Sequence, residues 1–429
     1  MNHRSRSHHA AHLENGTQDE VPEMDLVHRG EPELAATDEQ LAQLLAKLRE
    51  DGSFAYDSEF ISELTYHPKL CLVQVASRST LALIDPLAGL DMTPFWELLA
   101  DPSVIKIVHA GESDIEPVVR HLGRAAANVF DTQIGAGFIG LPYPLSLKKL
   151  VFELTGATLG RDLGFSNWEQ RPLSPVQLRY AADDVRYLPA AHQQMLARLD
   201  ALGHVRGAEE ECTAACEIGR FGFNPDTHYL RVRGANLLST RDQAVLRELT
   251  VWRDGAARLH DKPPRAFLKD DAMVELARER PGSMDQLAKV RSLPKAIAAA
   301  FGKDIIAAGT RTISRVQTPA AEPELGAADK FRADALFAVL QCLCAGSRLD
   351  QGLVANRKEL EQFYRHIAHG SGEPPALLRG WRRQAVGDLL RSFLEGHSSL
   401  AMAWEEGMLR AMPGAALTPA GGPAIPRSA

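Results

Sequence analysis

The chain has 429 residues, of which 45% are hydrophobic and 24% charged, with a net charge of −7 at pH 7. These proportions are typical of a soluble globular protein, and the length suits about two to four domains. An acidic chain has no general attraction to nucleic acid, so such a site would need metal ions or a local basic patch. We expect no membrane span, because no apolar run approaches the roughly 18 residues required.

The cysteines and the amino-terminal segment bear on the compartment. The five cysteines are an odd number and lack CxxC spacing, which favours reduced thiols in a core over disulfides or a metal site. The first residues are polar and His-rich, without the apolar stretch of a secretory signal. We therefore expect a cytoplasmic protein.

The first half of the chain predicts a sheet covered by helices. Residues 1–30 lack an apolar period and predict a disordered tail. Thr37 and Gln40 are spaced as in a capping box, which indicates the start of a helix. Three strand patterns in succession, then strands alternating with helices, predict an α/β domain with a mixed sheet over residues 31–204. The predicted strands are 53–60, 70–76, 80–85, 104–110 and 128–131, and the helices are 93–100, 113–122, 132–139, 146–155, 174–182 and 184–202.

The second half predicts helices only, because no strong strand pattern follows residue 205. We divide it by composition and by Pro/Gly interruptions. The predicted parts are a connecting segment at 205–238, a helical domain at 239–318, a linker at 319–328, a second helical domain at 329–411 and a disordered tail at 412–429.

Two carboxylates two residues apart, Asp57 and Glu59, lie on the first of these strands. Side chains alternate along a strand, so both point to the same face. Adjacent carboxylates repel each other, and Mg²⁺ or Mn²⁺ would relieve that repulsion because hard cations prefer oxygen ligands. Taken alone, the pair fits a solvated edge strand better than a metal site, because such pairs are common there.

Three further candidates lie far along the chain. Asp114 stands where a strand runs through Gly111 into a helix, the position at which α/β sheets place active sites; it could also be a helix cap. Tyr180 and Asp184 are four residues apart on a predicted helix and share a face. Together these carboxylates could hold two divalent ions, a known arrangement for phosphodiester cleavage; a buried Tyr–Asp contact is the plainer alternative.

The order of these residues resembles the DEDD exonucleases, in the subgroup with tyrosine in the last motif. The flanking sequence is similar to ribonuclease D over about residues 53–190. The blocks that carry the resemblance are Asp57-Ser58-Glu59-Phe60, Tyr66-His67-Pro68-Lys69-Leu70, Leu83-Ile84-Asp85-Pro86-Leu87, His109-Ala110-Gly111, Asp131-Thr132-Gln133, Trp168-x-x-Arg171-Pro172-Leu173 and Tyr180 to Leu188.

The resemblance implies a ribonuclease-H-like fold and 3′→5′ hydrolysis of RNA to nucleoside 5′-monophosphates. The substrate would have a free 3′ end and come from structured precursors, tRNA above all. The resemblance assigns Asp57, Glu59, Asp114 and Asp184 to two metal ions, Mg²⁺ or Mn²⁺, and Tyr180 to the attacking water. We also predict substrate contacts for six residues: Gln74, His109, Trp168, Arg171, Arg253 and Lys262.

The helical domain at 239–318 resembles an HRDC domain, the accessory module of ribonuclease D and RecQ helicases. Leu249-Thr250-Val251-Trp252-Arg253 and Pro281-Gly282-Ser283 carry the resemblance. Residues 253–311 hold 12 Lys/Arg and 8 Asp/Glu, which fits a phosphate-facing surface or a solvated helical face. The block at 329–411 looks like a second HRDC-type all-α domain, in which Trp381 could stack on RNA or belong to the core.

Two other functions remain open on the sequence. The same site could remove nucleotides from DNA, because no residue can be assigned to reading the 2′-hydroxyl. The chain could also be an RNA-binding scaffold that has lost turnover, although all five catalytic-type residues are present. The sequence does not indicate an oligomeric state.

Overall fold

A computed structural model describes residues 21, 23–163, 166–311, 325–370, 373–405 and 408–414. Residues 1–20 of the predicted tail at 1–30, residues 319–324 of the predicted linker at 319–328 and residues 415–429 of the predicted tail at 412–429 lie outside the described residues. Among the described residues, no helix combines the length and apolarity needed to cross a membrane.

A six-stranded mixed sheet forms the centre of the first domain, in the order β1-β4-β3-β2-β5-β6. The antiparallel pairs β2–β3 and β3–β4 occupy its middle, and parallel pairs flank them. The strands are β1 (Glu33–Ala35), β2 (Ser53–Ile61), β3 (Lys69–Ser77), β4 (Leu81–Ile84), β5 (Ile105–Val108) and β6 (Val129–Asp131). The sequence predicted all of them except the three-residue β1.

Helices cover both faces of this sheet, as predicted. Alternation along β2 sends Phe54 and Tyr56 into one apolar cluster and Ala55 into the other. The expected capping box forms, because the Thr37 hydroxyl accepts from the Gln40 amide at 3.3 Å. The helices are α1 (Asp38–Asp51), α2 (Thr93–Leu99), α3 (Glu112–Leu122), α4 (Thr132–Phe138), α5 (Leu147–Thr155), α6 (Pro175–Arg186) and α7 (Leu188–Leu202).

The segment before β1 packs against this domain. Arg186 is 4% exposed, and its guanidinium donates to the backbone carbonyl of Gly30 at 3.0 Å. The His28 ring nitrogen Nε2 lies 2.8 Å from the carbonyl of Ser77. Residues 23–30 are therefore held in place, and the prediction of disorder up to residue 30 is wrong for them, because long-range contacts compensate for their polar composition.

A connecting segment and a five-helix domain follow. The segment contains α8 (Val205–Ala215) and α9 (Pro225–His228), and the domain contains α10 (Thr240–Leu259), α11 (Pro264–Phe267), α12 (Asp270–Glu279), α13 (Met284–Leu287) and α14 (Lys295–Thr310). This domain has an apolar cluster of its own, to which Tyr229 and Val232 of the connecting segment contribute. Helix α14 is continuous over 16 residues.

The carboxyl-terminal block contains five helices and then a hairpin. The helices are α15 (Ala327–Gly346), α16 (Gln351–Val354), α17 (Arg357–His369), α18 (Gly380–Arg382) and α19 (Asp388–Leu394), and the strands are β7 (Leu400–Glu405) and β8 (Met408–Pro413), paired antiparallel. The prediction of an all-helical block up to residue 411 is wrong here. Met402 and Trp404 alternate with alanines, a period-two pattern that the prediction overlooked.

This block packs directly on the first domain. Trp381 is 6% exposed, and its ring centroid lies 4.5 Å from that of Phe138 in α4. Its indole nitrogen donates to Glu211 in α8 at 2.7 Å, and Arg382 donates to the same carboxylate at 2.6 Å. Of the two roles left open for Trp381, the structure supports a place in the core between domains.

Candidate active site

Three of the predicted ligands lie together at the middle of the sheet. Carboxylate oxygens of Asp57, Glu59 and Asp184 all lie within 4.8 Å of one another. Glu59 is only 9% exposed, so the pair on β2 does not lie on a solvated edge. Buried carboxylates this close favour a dication between them, so the donor set fits a divalent metal ion.

The pairing of β2 with β3 orients Asp57. Gln74 is directly opposite Asp57 in the antiparallel register, and its Nε2 donates to Asp57 Oδ2 at 2.9 Å. The register shifts between Glu59 and Phe60. Such a bulge bends a strand and re-aims its side chains, and bulges are common beside active sites.

Asp114 reaches the same region from the first turn of α3. It is 5% exposed, and one of its carboxylate oxygens accepts a hydrogen bond from the Ser58 hydroxyl. The turn before α3 is held by Asp131, whose two carboxylate oxygens accept from the amides of Ala110 and Gly111 at 3.0 and 3.1 Å. A Cβ atom on Gly111 would lie 2.6 Å from the Val108 side chain, so this turn requires glycine.

Helix α6 brings Tyr180 to Asp184, as their spacing predicts, and the phenol hydroxyl is hydrogen-bonded to the Asp184 carboxylate. Trp168, which is completely buried, packs against Tyr180 with ring centroids 6.0 Å apart. The ring of Tyr180 is therefore fixed from behind, while its hydroxyl faces the carboxylates.

Burial and mutual repulsion perturb every acid of the site. Burial, opposed by hydrogen bonds from Gln74 and the Ser58 amide, raises the pKa of Asp57 to about 6. Burial and the charges of Asp57 and Asp184 raise the pKa of Glu59 to about 9. Burial and the charge of Asp57 raise the pKa of Asp184 to about 8 and that of Asp114 well above its usual range. A cation at this site would reverse these shifts.

Tyr180 stays a neutral phenol throughout the physiological range. Burial and the charges of Asp184 and Glu59 raise the pKa of its hydroxyl far above the usual value. The group can thus donate and accept hydrogen bonds but does not ionise near neutral pH.

Three of the predicted substrate contacts have internal partners. Arg171 donates to both oxygens of Asp85, at 2.6 and 2.7 Å, and to the carbonyl of Cys71 at 2.8 Å. Trp168 is completely buried, and the ring nitrogens of His109 lie 3.0 Å from Thr132 Oγ1 and 2.9 Å from the Leu145 carbonyl. Complete burial contradicts the predicted role of Trp168. Arg171 and His109 use their hydrogen-bonding groups within the protein, and their contact with RNA stays a prediction.

The other three residues predicted to contact the substrate, Gln74, Arg253 and Lys262, differ in their surroundings. Gln74 is completely buried and contacts Asp57, so it positions a ligand and does not reach the substrate directly. Arg253 is 6% exposed and donates to Asp270 at 2.8 Å, which removes it from the outer surface of α10. Lys262 is exposed in the turn after α10 and its contact with RNA stays a prediction.

Sequence reasoning missed two participants. Asp162 lies close enough to raise the pKa of Glu59 and of Asp184, but it comes from a loop without any periodic pattern that would have indicated it. Ser58 contacts Asp114 across the sheet–helix boundary. Ser58 lies between Asp57 and Glu59 in the sequence, and this position was the signal that could have indicated a role at the site.

Comparisons with known proteins agree with this geometry. A 3′-5′ exonuclease family model matches residues 32–200, and an HRDC domain model matches residues 242–308. The chain is 32% identical over 385 residues to ribonuclease D of Gluconacetobacter diazotrophicus, covering 87% of this chain and 95% of the relative. It is 34% identical over 363 residues to ribonuclease D of Pseudomonas paraeruginosa, covering 83% and 96%. The chain belongs to the ribonuclease D family.

The similarity of whole structures agrees with membership in the ribonuclease D family. Escherichia coli ribonuclease D, described as an exoribonuclease involved in structured RNA processing, matches with a TM-score of 0.72 and 28% identity, covering 85% of this chain and 99% of that one. The predicted fold class and enzyme class are thus confirmed: the protein is a 3′→5′ exoribonuclease with an HRDC domain. Its exonuclease fold and acidic cluster imply dependence on divalent metal ions.

Proposed function

We propose that this exoribonuclease works with two divalent ions, Mg²⁺ or Mn²⁺, and trims the 3′ ends of structured RNA precursors, tRNA above all. The observation that carries the proposal is the number of acids at the site. The carboxylates of Asp57, Glu59 and Asp184 lie together, and the charge of Asp57 also acts on Asp114. Four acids suit two ions, and we assign Asp57 as a ligand that both ions share.

Bound there, two such ions lower the pKa of a water molecule and neutralise charge on the phosphate and the leaving 3′ oxygen. The protein's own contribution is to hold the carboxylates and the tyrosine hydroxyl in position. Gln74 and Ser58 fix the carboxylates of Asp57 and Asp114. The neutral hydroxyl of Tyr180, held against Asp184, can orient a water molecule through its oxygen lone pairs without taking the proton.

The catalytic proposal is tested with end-blocked RNA oligonucleotides in Mg²⁺ or Mn²⁺, comparing wild type with Asp57→Ala. We expect wild type to release nucleoside 5′-monophosphates when the 3′ end is free, irrespective of a blocked 5′ end. A blocked 3′ end or the Asp57→Ala substitution should abolish release. Internal cleavage products, or equal turnover by Asp57→Ala, would contradict the proposal.

The substrate is tested separately, with matched RNA and DNA oligonucleotides and by sequencing RNA 3′ ends from cells with and without the protein. We expect RNA to be shortened faster than DNA and tRNA precursors to keep extra 3′ nucleotides when the protein is absent. Faster removal from DNA, or unchanged tRNA 3′ ends, would contradict this part.

A further inference from the structure

A groove of about 1040 Å³ runs between the exonuclease and HRDC domains. At one end it is lined by Phe60 and Ser113, which adjoin Glu59 and Asp114 in the sequence. Its walls include Arg120 of α3 and Arg231 of the connecting segment. An RNA strand with its 3′ nucleotide at the carboxylates could extend its 5′ side along this groove.

The HRDC wall of the groove contains a side pocket of about 330 Å³. Phe223, His228 and Pro264 line both spaces, so the pocket opens into the groove. The Phe223 and His228 rings lie 4.9 Å apart at 49°, and Pro263 adds another apolar surface. A cavity of this size is at the lower end of the range that holds small ligands, and flat apolar walls suit a flat ligand.

Arg253 forms part of the pocket wall. It is 6% exposed and has a buried Nε without any hydrogen-bond partner among the described residues. Its Nη1 is already used by Asp270 and by the Leu268 carbonyl, at 2.8 and 3.0 Å. The contacts with Asp270 and Leu268 hold Arg253 in place as a fixed part of this wall.

The charge around the pocket suits a nucleotide. Asp254, an acid on its border, accepts hydrogen bonds from Tyr66 at 2.6 Å and Arg258 at 3.3 Å, which compensate its charge. Arg231 borders both the pocket and the groove and has no ion-pair partner among the described residues. Its guanidinium is thus available to a phosphate.

We propose that this pocket binds one unstacked nucleobase of the RNA strand, on the 5′ side of the nucleotide being removed. The base would stack on Phe223, while Arg231 pairs with a neighbouring phosphate. Aromatic side chains commonly stack on bases of single-stranded RNA in this way. The inference rests on the proposed function, because it assumes that a 3′ strand occupies the carboxylate site.

The test measures binding of fluorescent RNA oligonucleotides to the full chain carrying Asp57→Ala, so that turnover does not interfere. One abasic residue is moved through the strand from the 3′ end. We expect one internal position at which losing the base weakens binding about five- to tenfold, the lower end of the range for a single stacking interaction. Adding Phe223→Ala should weaken binding of intact RNA by a similar factor and abolish the effect of the abasic residue.

Two further variants control this result. Phe223→Trp retains an aromatic surface and should retain the sensitivity to the abasic position. Leu237→Ala changes an exposed residue of the same segment that lines neither space, and it should alter nothing. As a measurement independent of folding defects, 2-aminopurine at the sensitive position should be quenched on binding to protein with Phe223 intact.

The proposal would be overturned if the abasic residue weakened binding equally in protein with Phe223 and in Phe223→Ala. It would also be overturned if 2-aminopurine remained unquenched at every internal position. Wild-type cleavage of RNA separates this failure from failure of the proposed function. If the pocket fails while mononucleotides are still released from free 3′ ends, only the further inference is wrong.

Discussion

At the scale of single residues, the site consists of acids that the fold holds against their mutual repulsion. Asp57 is the central one, because it takes a hydrogen bond from Gln74 and its charge raises the pKa of Asp114, Glu59 and Asp184. Gln74 is completely buried, and only its Nε2 has a hydrogen-bond partner among the described residues. Orienting Asp57 is therefore the one role that its side-chain contacts support.

Gln74→Leu tests this positioning role. The substitution removes the hydrogen bond that orients Asp57, and loss of such a support weakens metal binding by about 10- to 100-fold. We expect the Mg²⁺ concentration for half-maximal cleavage to rise accordingly. The stability should change little, because the unpaired buried acceptor is lost as well.

Gln133→Leu is the matched control, since the Gln133 amide donates to the Leu145 carbonyl at 3.1 Å, outside the carboxylate group. It should leave the Mg²⁺ dependence unchanged. A Gln74→Leu protein with normal Mg²⁺ dependence and weakened RNA binding would show that Gln74 acts on the substrate.

The acids also predict an unusual pH dependence of the metal-free protein. The pKa values of Asp57, Glu59 and Asp184 are raised to about 6, 9 and 8. Each acid therefore binds its proton more tightly in the folded state than in the unfolded chain, where pKa values are about 4. The free energy of unfolding should fall as the pH rises from about 4 to about 9.

Thermal unfolding in a chelator across this pH range provides the measurement. Mg²⁺ should restore stability at the upper end, because it binds the ionised folded site. Asp57→Asn should flatten the decrease, since it removes one charge and one titrating group. A metal-free wild type whose stability rises steadily over the same range would contradict the prediction.

At the scale of elements, the loop before α6 shows how a motif can be misread. Arg171 resembled a substrate contact, yet its guanidinium links the loop to Asp85 after β4 and to the Cys71 carbonyl of β3. Trp168 from the same loop packs under Tyr180. The motif therefore supports the catalytic helix from behind, and a sequence pattern alone does not distinguish support from contact.

Arg171→Lys separates these two roles. Lysine cannot reproduce the bidentate contact with Asp85, so we expect a loss of about 1.5–3 kcal/mol in the free energy of unfolding. RNA binding by the folded protein should stay unchanged. Arg124→Lys, in an exposed pair with Glu97, is the control and should have little effect on stability. Unchanged stability with weaker RNA binding would restore the original interpretation.

At the scale of the whole molecule, one tyrosine connects the exonuclease and HRDC domains beside the groove. The Tyr66 hydroxyl donates to Asp254 of α10 at 2.6 Å and accepts from Arg258 at 3.0 Å. The Arg258 guanidinium also lies 4.9 Å from the centre of the Tyr66 ring. The carboxyl-terminal block is attached differently, through Trp381 and an apolar cluster continuous with the first domain.

Tyr66→Phe should loosen the HRDC domain without unfolding either domain. The hydroxyl's contacts with Asp254 and Arg258 are lost, and we expect a coupling free energy of about 1 kcal/mol in a double-mutant cycle with Asp254→Ala. Small-angle scattering should show a larger radius of gyration. Additive effects of the two substitutions would show that the contact does not join the domains.

The sequence by itself determined most elements and the family and predicted the five candidate catalytic residues, because strand and helix periodicity and local motif spacing depend on nearby residues. Asp57 and Glu59 share a strand face, and Tyr180 and Asp184 share a helix face, regardless of how the rest of the chain packs around them. Only the tertiary structure decided that Gln74 orients Asp57, that Arg171 pairs with Asp85, that Trp381 lies inside, and that Arg253 lines a pocket. Those outcomes depend on which distant partner each side chain meets, and a pattern of neighbouring residues does not contain that information.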